Sequence, residues 1–164
     1  MALGWSNKDL REMLVNKHGI EILNTIDTPM NSIKWKFNIA VFHAKKSQEV
    51  VYDVLPTEPF EQMKALFENI FGGNSEKNKA ITKAQVAAEA HLIAYIQMMH
   101  SIHDSLGQVI YYSIIEHQGE SYKIKERSIS LKSVHAKLKI LSLVKSEYLS
   151  LERHVNNFLS SKYF

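Results

Sequence analysis

The chain has 164 residues, of which 45% are hydrophobic and 23% are charged, and its formal net charge is +3. These values are typical of a folded globular protein, and the length suits a single hydrophobic core. There are no cysteines, which excludes disulfides, thiolate zinc sites and cysteine nucleophiles. We therefore expect one domain that spans residues 1–164.

The sequence shows no sign of a membrane segment. Its N-terminus lacks the basic stretch followed by an apolar stretch that a secretory leader would have. The most apolar run, residues 90–115, contains Asp104 and three histidines, and such groups make a lipid-facing helix costly. We expect a soluble cytoplasmic protein that does not enter a membrane.

The first predicted helix begins after Ser6, which has an acidic residue three positions later and so resembles the start of a capping box. Leu10, Met13 and Leu14 supply a short apolar face to this helix. Gly19 is expected to end it, because glycine is the commonest residue just beyond a helix C-terminus.

Residues 32–55 allow two interpretations. From Ile33 to Val41, apolar residues alternate with mostly polar ones, which favours a β-hairpin whose loop lies at residues 45–48. However, Ile33, Phe37 and Val41 are also spaced so that they would lie on one face of a helix. The sequence leaves both structures open, and we prefer the hairpin.

Helical patterns fill the rest of the chain. Either Thr57 or Pro59 is expected to start a helix over residues 60–71. A long helix over about residues 80–117 follows, with two apolar stripes that indicate packed neighbours on two sides. After a turn, Ser130 is expected to cap a further helix, and a last amphipathic segment follows. The predicted fold is mainly α, an antiparallel helical bundle around the long central helix.

The middle of the central helix carries the sharpest candidate site, which consists of His100, His103 and Asp104. Residues 100 and 104 share a helix face, so the carboxylate could fix the imidazole tautomer and raise its basicity. This pattern is typical of a general acid/base pair or of part of a metal site. A buried polar network that only sets the packing of the bundle is the alternative.

Basic residues concentrate in the last third of the chain, where residues 118–164 contain nine Lys and Arg against four Glu, a net charge of +5. Lys132, His135 and Lys139 lie at helical spacing. Together with Arg127 they are candidate phosphate contacts for RNA or a nucleotide. An ordinary solvated helix face is the alternative.

The sequence lacks the motifs of several common phosphate-binding, nucleophilic and metal sites. No P-loop lysine follows Gly72-Gly73, and there is no nucleophile elbow. These absences disfavour the common hydrolases and phosphotransferases, and we expect no cofactor. A carboxylate-bridged di-metal bundle needs Glu-x-x-His on two helices, and the sequence has none. No metal site is predicted, and a metal-binding bundle remains an outside alternative.

The central helix also resembles a known family. Residues 88–115, AEAHLIAYIQMMHSIHDSLGQVIYYSII, have a His-Ser-x-x-Asp centre at His100, Ser101 and Asp104. This stretch looks like the first long helix of one branch of the HEPN superfamily, whose members are small helical-bundle proteins of prokaryotic defence and toxin–antitoxin systems. The resemblance implies an antiparallel bundle, frequent dimerisation, and either metal-independent ribonuclease activity or a non-catalytic role in binding RNA or nucleotides.

The catalytic signature of that family is Arg followed by His after four to six residues, normally on a late helix. Here Arg127 and His135 have seven residues between them. Arg11 and His18 fit the spacing, but they fall in the first predicted helix, where we interpret the match as coincidental. The chain is then either an inactive member or ends before the helix that would carry the motif.

We therefore expect an HEPN-like, homodimeric helical protein that binds RNA or a nucleotide. If it cleaves RNA, an imidazole of the polar centre formed by His100, His103 and Asp104 would act on a ribose hydroxyl or on the leaving oxygen. A nearby cation would stabilise the phosphorane, and no metal ion would be needed. The rival hypothesis is a non-catalytic structural or protein-interaction module.

Overall fold

A computed structural model describes residues 7–72 and 76–161. Six α-helices occupy most of them, and the described residues contain no β-strand. The prediction of a mainly α protein with a long helix in the middle of the sequence is confirmed. The helices are α1 (Asn7–His18), α2 (Ile22–Tyr52), α3 (Pro59–Phe71), α4 (Glu76–Ser113), α5 (Leu131–Val144) and α6 (Leu149–Leu159).

The β-hairpin predicted for residues 32–55 is wrong, because α2 runs unbroken from Ile22 to Tyr52. The apolar residues that alternate in this stretch also recur at helical spacing, and residues 31–55 include no glycine or proline that would turn a hairpin. The stretch predicted as the hairpin loop is part of the helix surface, where Lys46 forms an ion pair with Glu49 one turn later.

Three predicted helix ends are confirmed. Gly19 follows α1 with a φ of 84°, a conformation that glycine adopts without strain. Pro59 is the first residue of α3, where its missing N–H costs nothing. Ser130 caps α5, since its Oγ accepts from Ser133 N at 3.2 Å and its own N–H donates to Ser133 Oγ at 2.9 Å. The capping box predicted at Ser6 lies outside the described residues.

The chain divides into two compact units. Unit 1 combines Met1–Trp35 with His100–Phe164, and unit 2 comprises Lys36–Met99. Both α2 and α4 pass from one unit into the other. Unit 1 therefore contains the start of α2, the end of α4, and all of α1, α5 and α6.

Unit 1 has a core of large apolar side chains. Val134 and Leu138 of α5 are 0% exposed, and a smaller cluster of Leu14, Ile22 and Ile26 joins α1 to the start of α2. Burial of such side chains is the main source of folding stability. The larger cluster consists of Ile110, Tyr111, Ile115, Ile129, Leu131, Val134, Leu138, Leu141, Tyr148 and Val155.

Within unit 1, α4 comes very close to the start of α5 at Gly107. A Cβ atom on residue 107 would lie 2.5 Å from the Leu131 nitrogen and 2.6 Å from the Ser130 carbonyl carbon. Side chains do not occupy such short distances from a backbone. Glycine is therefore required here, although it is a weak helix former.

One side chain holds the connection between α4 and α5 in place. This connection contains three short 3-10 turns, Ile115–Gln118, Glu120–Tyr122 and Glu126–Ser128. The hydroxyl of buried Tyr111 accepts a hydrogen bond from Ile124 N at 3.2 Å and donates one to Ile124 O at 3.4 Å. Both backbone groups of Ile124 are thus anchored to α4.

Unit 2 buries mainly small side chains. Among its described residues, those buried are Ala40, Ala65, Asn78 and Ile81. The side-chain amide of Asn78 donates to the Glu68 carbonyl in the last turn of α3 at 3.2 Å, and this carbonyl also accepts the Gly72 backbone N–H at 2.7 Å. Most of the large apolar side chains of unit 2 lie at its surface instead.

The long helix α4 is buried along only part of its length. Val109, Ile110 and Tyr111 are buried in unit 1, whereas Leu92 and Ile96 in unit 2 are nearly half exposed. The burial expected for both apolar stripes therefore holds for the C-terminal part of α4. Within this chain it fails for the part that belongs to unit 2.

Candidate functional site

The three candidate catalytic residues lie on the part of α4 that belongs to unit 1. His100 and Asp104 are exposed, and no hydrogen bond or ion pair joins these two described side chains. The half-buried His103 ring meets the Phe158 ring of α6 edge-on, with 4.9 Å between the ring centroids. The centroid of the His100 ring lies 5.9 Å from that of His103. The structure thus brings the two imidazoles together, while the carboxylate does not orient His100.

Burial favours the neutral form of the His103 imidazole. It lowers the pKa of His103 below the ordinary value of 6.5, the nearby charge of His100 lowers this pKa further, and Asp104 raises it. A neutral imidazole has one unprotonated ring nitrogen, which suits a general base better than a general acid.

The four candidate phosphate contacts fall into two groups. Arg127, Lys132 and Lys139 are exposed, and none of them forms an ion pair with another described residue. Lys132 and Lys139 are two turns apart on the same face of α5, which corresponds to roughly 10 Å. Arg127 belongs to the 3-10 turn just before α5. These three cations are open to solvent.

The fourth candidate, His135, is engaged within the protein. Its Nε2 lies 3.0 Å from Glu152 Oε1 on α6, and both side chains are mostly buried. A hydrogen bond of this kind, shielded from water, helps to fix α5 against α6. The structure therefore gives His135 a packing role and leaves it a poor phosphate contact.

The coincidental Arg-x6-His pair of α1 is also split between two sites. Arg11 makes two contacts with the Asp27 carboxylate, at 2.8 and 2.9 Å, which tie α1 to α2. The ring of His18 stacks on that of His117 at a centroid distance of 4.0 Å. Burial and the charge of His117 lower the pKa of His18. Each residue thus has its own partner.

One feature that the sequence patterns did not reveal is an apolar stripe on the outside of α3. It consists of Phe60, Met63, Phe67, Ile70 and Phe71, and is called the α3 stripe below. These side chains are between 52% and 77% exposed. The apolar periodicity of α3 is visible in the sequence. Periodicity alone cannot tell whether a neighbour covers the apolar face.

A second such feature is an apolar cavity in unit 1, with a volume of about 570 Å³. Side chains of α1, α4, α5 and α6 line it. The sequence offers no signal for a cavity, because a cavity depends on how side chains from distant segments fit together.

The described residues were compared with what a metal cluster and a membrane-spanning helix require, and they contain neither. No group of three or more His, Asp or Glu side chains is arranged to hold a metal ion in the described ranges. Over the same part of the chain, no helix combines the length and the apolar character needed to cross a bilayer.

Comparisons with protein-family models, with curated proteins and with solved structures gave no match. The resemblance of the central helix to the HEPN superfamily therefore stays a prediction. A function for this chain has to be argued from its own residues.

Proposed function

We propose that this protein is a helical interaction module that self-associates through the α3 stripe of unit 2. The observation that carries the proposal is that α3 presents its largest apolar side chains to solvent. Soluble proteins seldom leave a continuous apolar surface uncovered, and such surfaces usually mark sites of association.

The orientation of α3 within unit 2 supports this role. The buried side of α3 carries a small side chain, Ala65, which is 3% exposed. The Asn78 amide donates a hydrogen bond to the last turn of the helix. The α3 stripe follows a spacing of three and four residues, as in helices that pack against another helix. The rings of Phe67 and Phe71, whose centroids are 6.0 Å apart, lie side by side at the C-terminal end of the stripe.

The size of the stripe suits a dimer interface. Its five side chains, each more than half exposed, present roughly 500 Å² in total if about 100 Å² of each is accessible. With the polar residues that flank it, the stripe approaches the about 800 Å² per partner of a standard interface. A patch of this size is as large as the largest patches on typical monomers.

The charges beside the stripe favour a second copy of the chain as the partner. Lys64 and Glu68 are both exposed and lie on either side of the middle of α3. When two copies of α3 pack antiparallel about that middle, Lys64 of each copy lies near Glu68 of the other. A two-fold interface of this kind is self-complementary.

A lipid surface fits these residues less well. Amphipathic helices that bind membranes carry mainly Lys and Arg on their polar face. The polar face of α3 has Glu61 and Glu68 against Lys64. Its net negative charge would be repelled by anionic lipids.

Light scattering coupled to size-exclusion chromatography tests the proposal. The wild-type chain is expected to be a dimer, and the double variant Phe67→Glu/Ile70→Glu a monomer with unchanged helical content. Leu143→Glu is the matched control, because Leu143 is an exposed apolar residue of α5 in unit 1, and it should remain dimeric. A wild-type chain that stays monomeric at high concentration would contradict the proposal.

A charge swap tests the antiparallel arrangement. Lys64→Glu alone is expected to weaken the dimer, because it sets two like charges together, and adding Glu68→Lys should restore it. If both variants dimerise as the wild type does, the proposed register is wrong.

RNA or nucleotide binding of the HEPN-like kind is a second candidate function. It is favoured by the three exposed cations Arg127, Lys132 and Lys139, which have no acidic partner among the described residues. Cations of this kind can neutralise phosphates and release counterions. Should the protein also cleave RNA, His103 would be the base and His100 the second imidazole.

Fluorescence anisotropy with a labelled single-stranded RNA tests this candidate. Lys132→Gln/Lys139→Gln should weaken binding and reduce the slope of log affinity against log salt by about 0.7 for each lost contact. His135→Gln is the control, because His135 is engaged with Glu152, and it should leave the slope unchanged. Equal slopes in all three proteins would exclude these lysines as phosphate contacts. Cleavage is checked with the same RNA in the variants His100→Ala, His103→Ala and Asp104→Asn.

A further inference from the structure

The cavity of unit 1 has a polar end and an apolar end. The side chains that line it are almost all apolar, and Lys17 and Ser113 are among its few polar members. Lys17 and Ser113 lie at the same end, because the side chain of His18, next to Lys17, hydrogen-bonds to the backbone of Ser113. Leu106 and Phe158 mark the other end, where Phe158 also contacts His103.

Ser113 is the most informative of these residues. It is only 6% exposed, and its hydroxyl has no hydrogen-bond partner among the described residues. A buried hydroxyl without a partner costs free energy. A ligand that brings an oxygen acceptor into the cavity would satisfy it.

Two further side chains with polar atoms line the cavity, Tyr148 and His154, and both already have partners. The Tyr148 hydroxyl accepts from the Gln118 amide at 3.4 Å. His154 Nδ1 donates to the Ser150 carbonyl of its own helix at 2.6 Å. Lys17 is exposed, and it forms no ion pair with another described residue. Lys17 is therefore the cation that could pair with a ligand.

From these observations we propose that the cavity binds a medium-chain carboxylate, with the carboxylate between Lys17 and Ser113 and the alkyl chain directed towards Leu106 and Phe158. One carboxylate oxygen accepts from the Ser113 hydroxyl, and the other pairs with the Lys17 ammonium. A mostly apolar pocket with a few polar groups at one place is the usual form of a small-molecule site.

The dimensions fit such a ligand. Residues 106 and 113 are seven positions apart on α4, which corresponds to roughly 10 Å along the helix. The extended alkyl chain of a medium-chain carboxylate covers a comparable length. The volume of about 570 Å³ lies within the range of known ligand pockets, which is about 300–1,000 Å³.

Isothermal titration with sodium decanoate tests the proposal. Saturable binding to one site per chain is expected, and decylamine at equal concentration should bind at least tenfold more weakly, because its ammonium would face Lys17. No saturable binding of decanoate, or equal binding of decylamine, would overturn the proposal.

The variant Ser113→Ala provides a signature that a purely structural role of Ser113 would not give. It should weaken decanoate binding about tenfold, and it should raise the melting temperature of the free protein by about 2 °C. Ser105→Ala is the matched control, since Ser105 is equally buried but its hydroxyl donates to the Ser101 carbonyl at 3.3 Å. This control should lower the melting temperature and leave the affinity unchanged.

Lys17→Gln completes the series. It is expected to weaken decanoate binding about threefold and to bring the affinities of decanoate and decylamine closer together. Lys8→Gln, on the same helix but outside the lining of the cavity, should change neither. If Ser113→Ala and Lys17→Gln both bind decanoate as the wild type does, the assignment of the carboxylate to these two residues is wrong.

Discussion

Unit 1 and unit 2 use similar helices in opposite ways. In unit 1, α5 directs Val134 and Leu138 into a core, where both are 0% exposed. In unit 2, α3 directs Phe67 and Phe71 to solvent and buries Ala65. An amphipathic pattern therefore fixes which residues share a face, while the neighbours of the helix decide whether that face becomes core or surface. The apolar face of α5 is part of the core of unit 1, whereas the apolar face of α3 lies at the surface of unit 2.

The largest expected effect comes from the matched truncations Leu138→Ala and Phe71→Ala. Removing the fully buried Leu138 leaves a cavity and should lower the free energy of unfolding by about 3 kcal/mol. Removing the exposed Phe71 should change it by less than about 0.5 kcal/mol at protein concentrations where the chain is monomeric. Urea denaturation followed by circular dichroism measures both. Equal losses would contradict the contrast between the two units.

A smaller loss is expected from Gly107→Ala, because the added methyl group would overlap the backbone at the start of α5. Overpacking of this kind should lower the free energy of unfolding by about 2 kcal/mol, although alanine is the better helix former. The same denaturation experiment measures it. A stabilised variant would show that α4 and the start of α5 leave room for a methyl group at residue 107. The contrast between a tightly packed unit 1 and an exposed α3 in unit 2 would then be weaker.

The N-cap of α5 should contribute less to the free energy of unfolding than the close packing at Gly107. Ser130→Ala removes the hydroxyl that accepts from the Ser133 amide and should cost about 1 kcal/mol. Ser150→Ala is a matched control, because Ser150 is an exposed residue of α6 and its backbone carbonyl, not its hydroxyl, pairs with His154. Thermal unfolding of the two variants separates a specific cap from a general cost of losing a serine.

The smallest expected effect is a pH dependence located in unit 1. The pKa of His103 is lowered in the folded protein, so the unfolded chain binds a proton more readily. The stability that comes from neutral His103 is therefore complete above about pH 6.5 and is lost as the pH falls through that value towards the lower, folded pKa. His103→Phe should show a shallower loss of melting temperature between about pH 7.5 and 5.5. Unchanged pH profiles would show that His103 is not shielded from solvent.

Local signals in the sequence predicted much of the fold. Gly19, Pro59 and Ser130 mark helix ends through backbone conformation or a side-chain cap, and both act within a few residues. The stretch that became the middle of α2 was predicted wrongly, because its apolar residues fit both a period of two and a helical period. Neither glycine nor proline occurs in residues 31–55, and their absence is a signal in favour of the helix.

The candidate site was less predictable than the fold. Spacing correctly placed His100 and Asp104 on one face of a helix, but whether that face meets a neighbour depends on residues far away in the sequence. The pairing of His135 with Glu152 joins two helices, and no spacing within one helix reveals such a contact. For the same reason, neither the cavity at Ser113 nor the outward direction of the α3 stripe had a sequence signal.

The anchoring of Ile124 by the Tyr111 hydroxyl has a consequence for proteolysis. Lys123, Lys125 and Arg127 are exposed trypsin sites, yet a protease must bind several residues of its substrate in an extended form. Because Tyr111 holds both backbone groups of Ile124, the segment has to detach from α4 before it can enter the enzyme. The long connection should therefore be cut slowly in the folded protein, and quickly once that phenol is replaced by the phenyl ring of Tyr111→Phe.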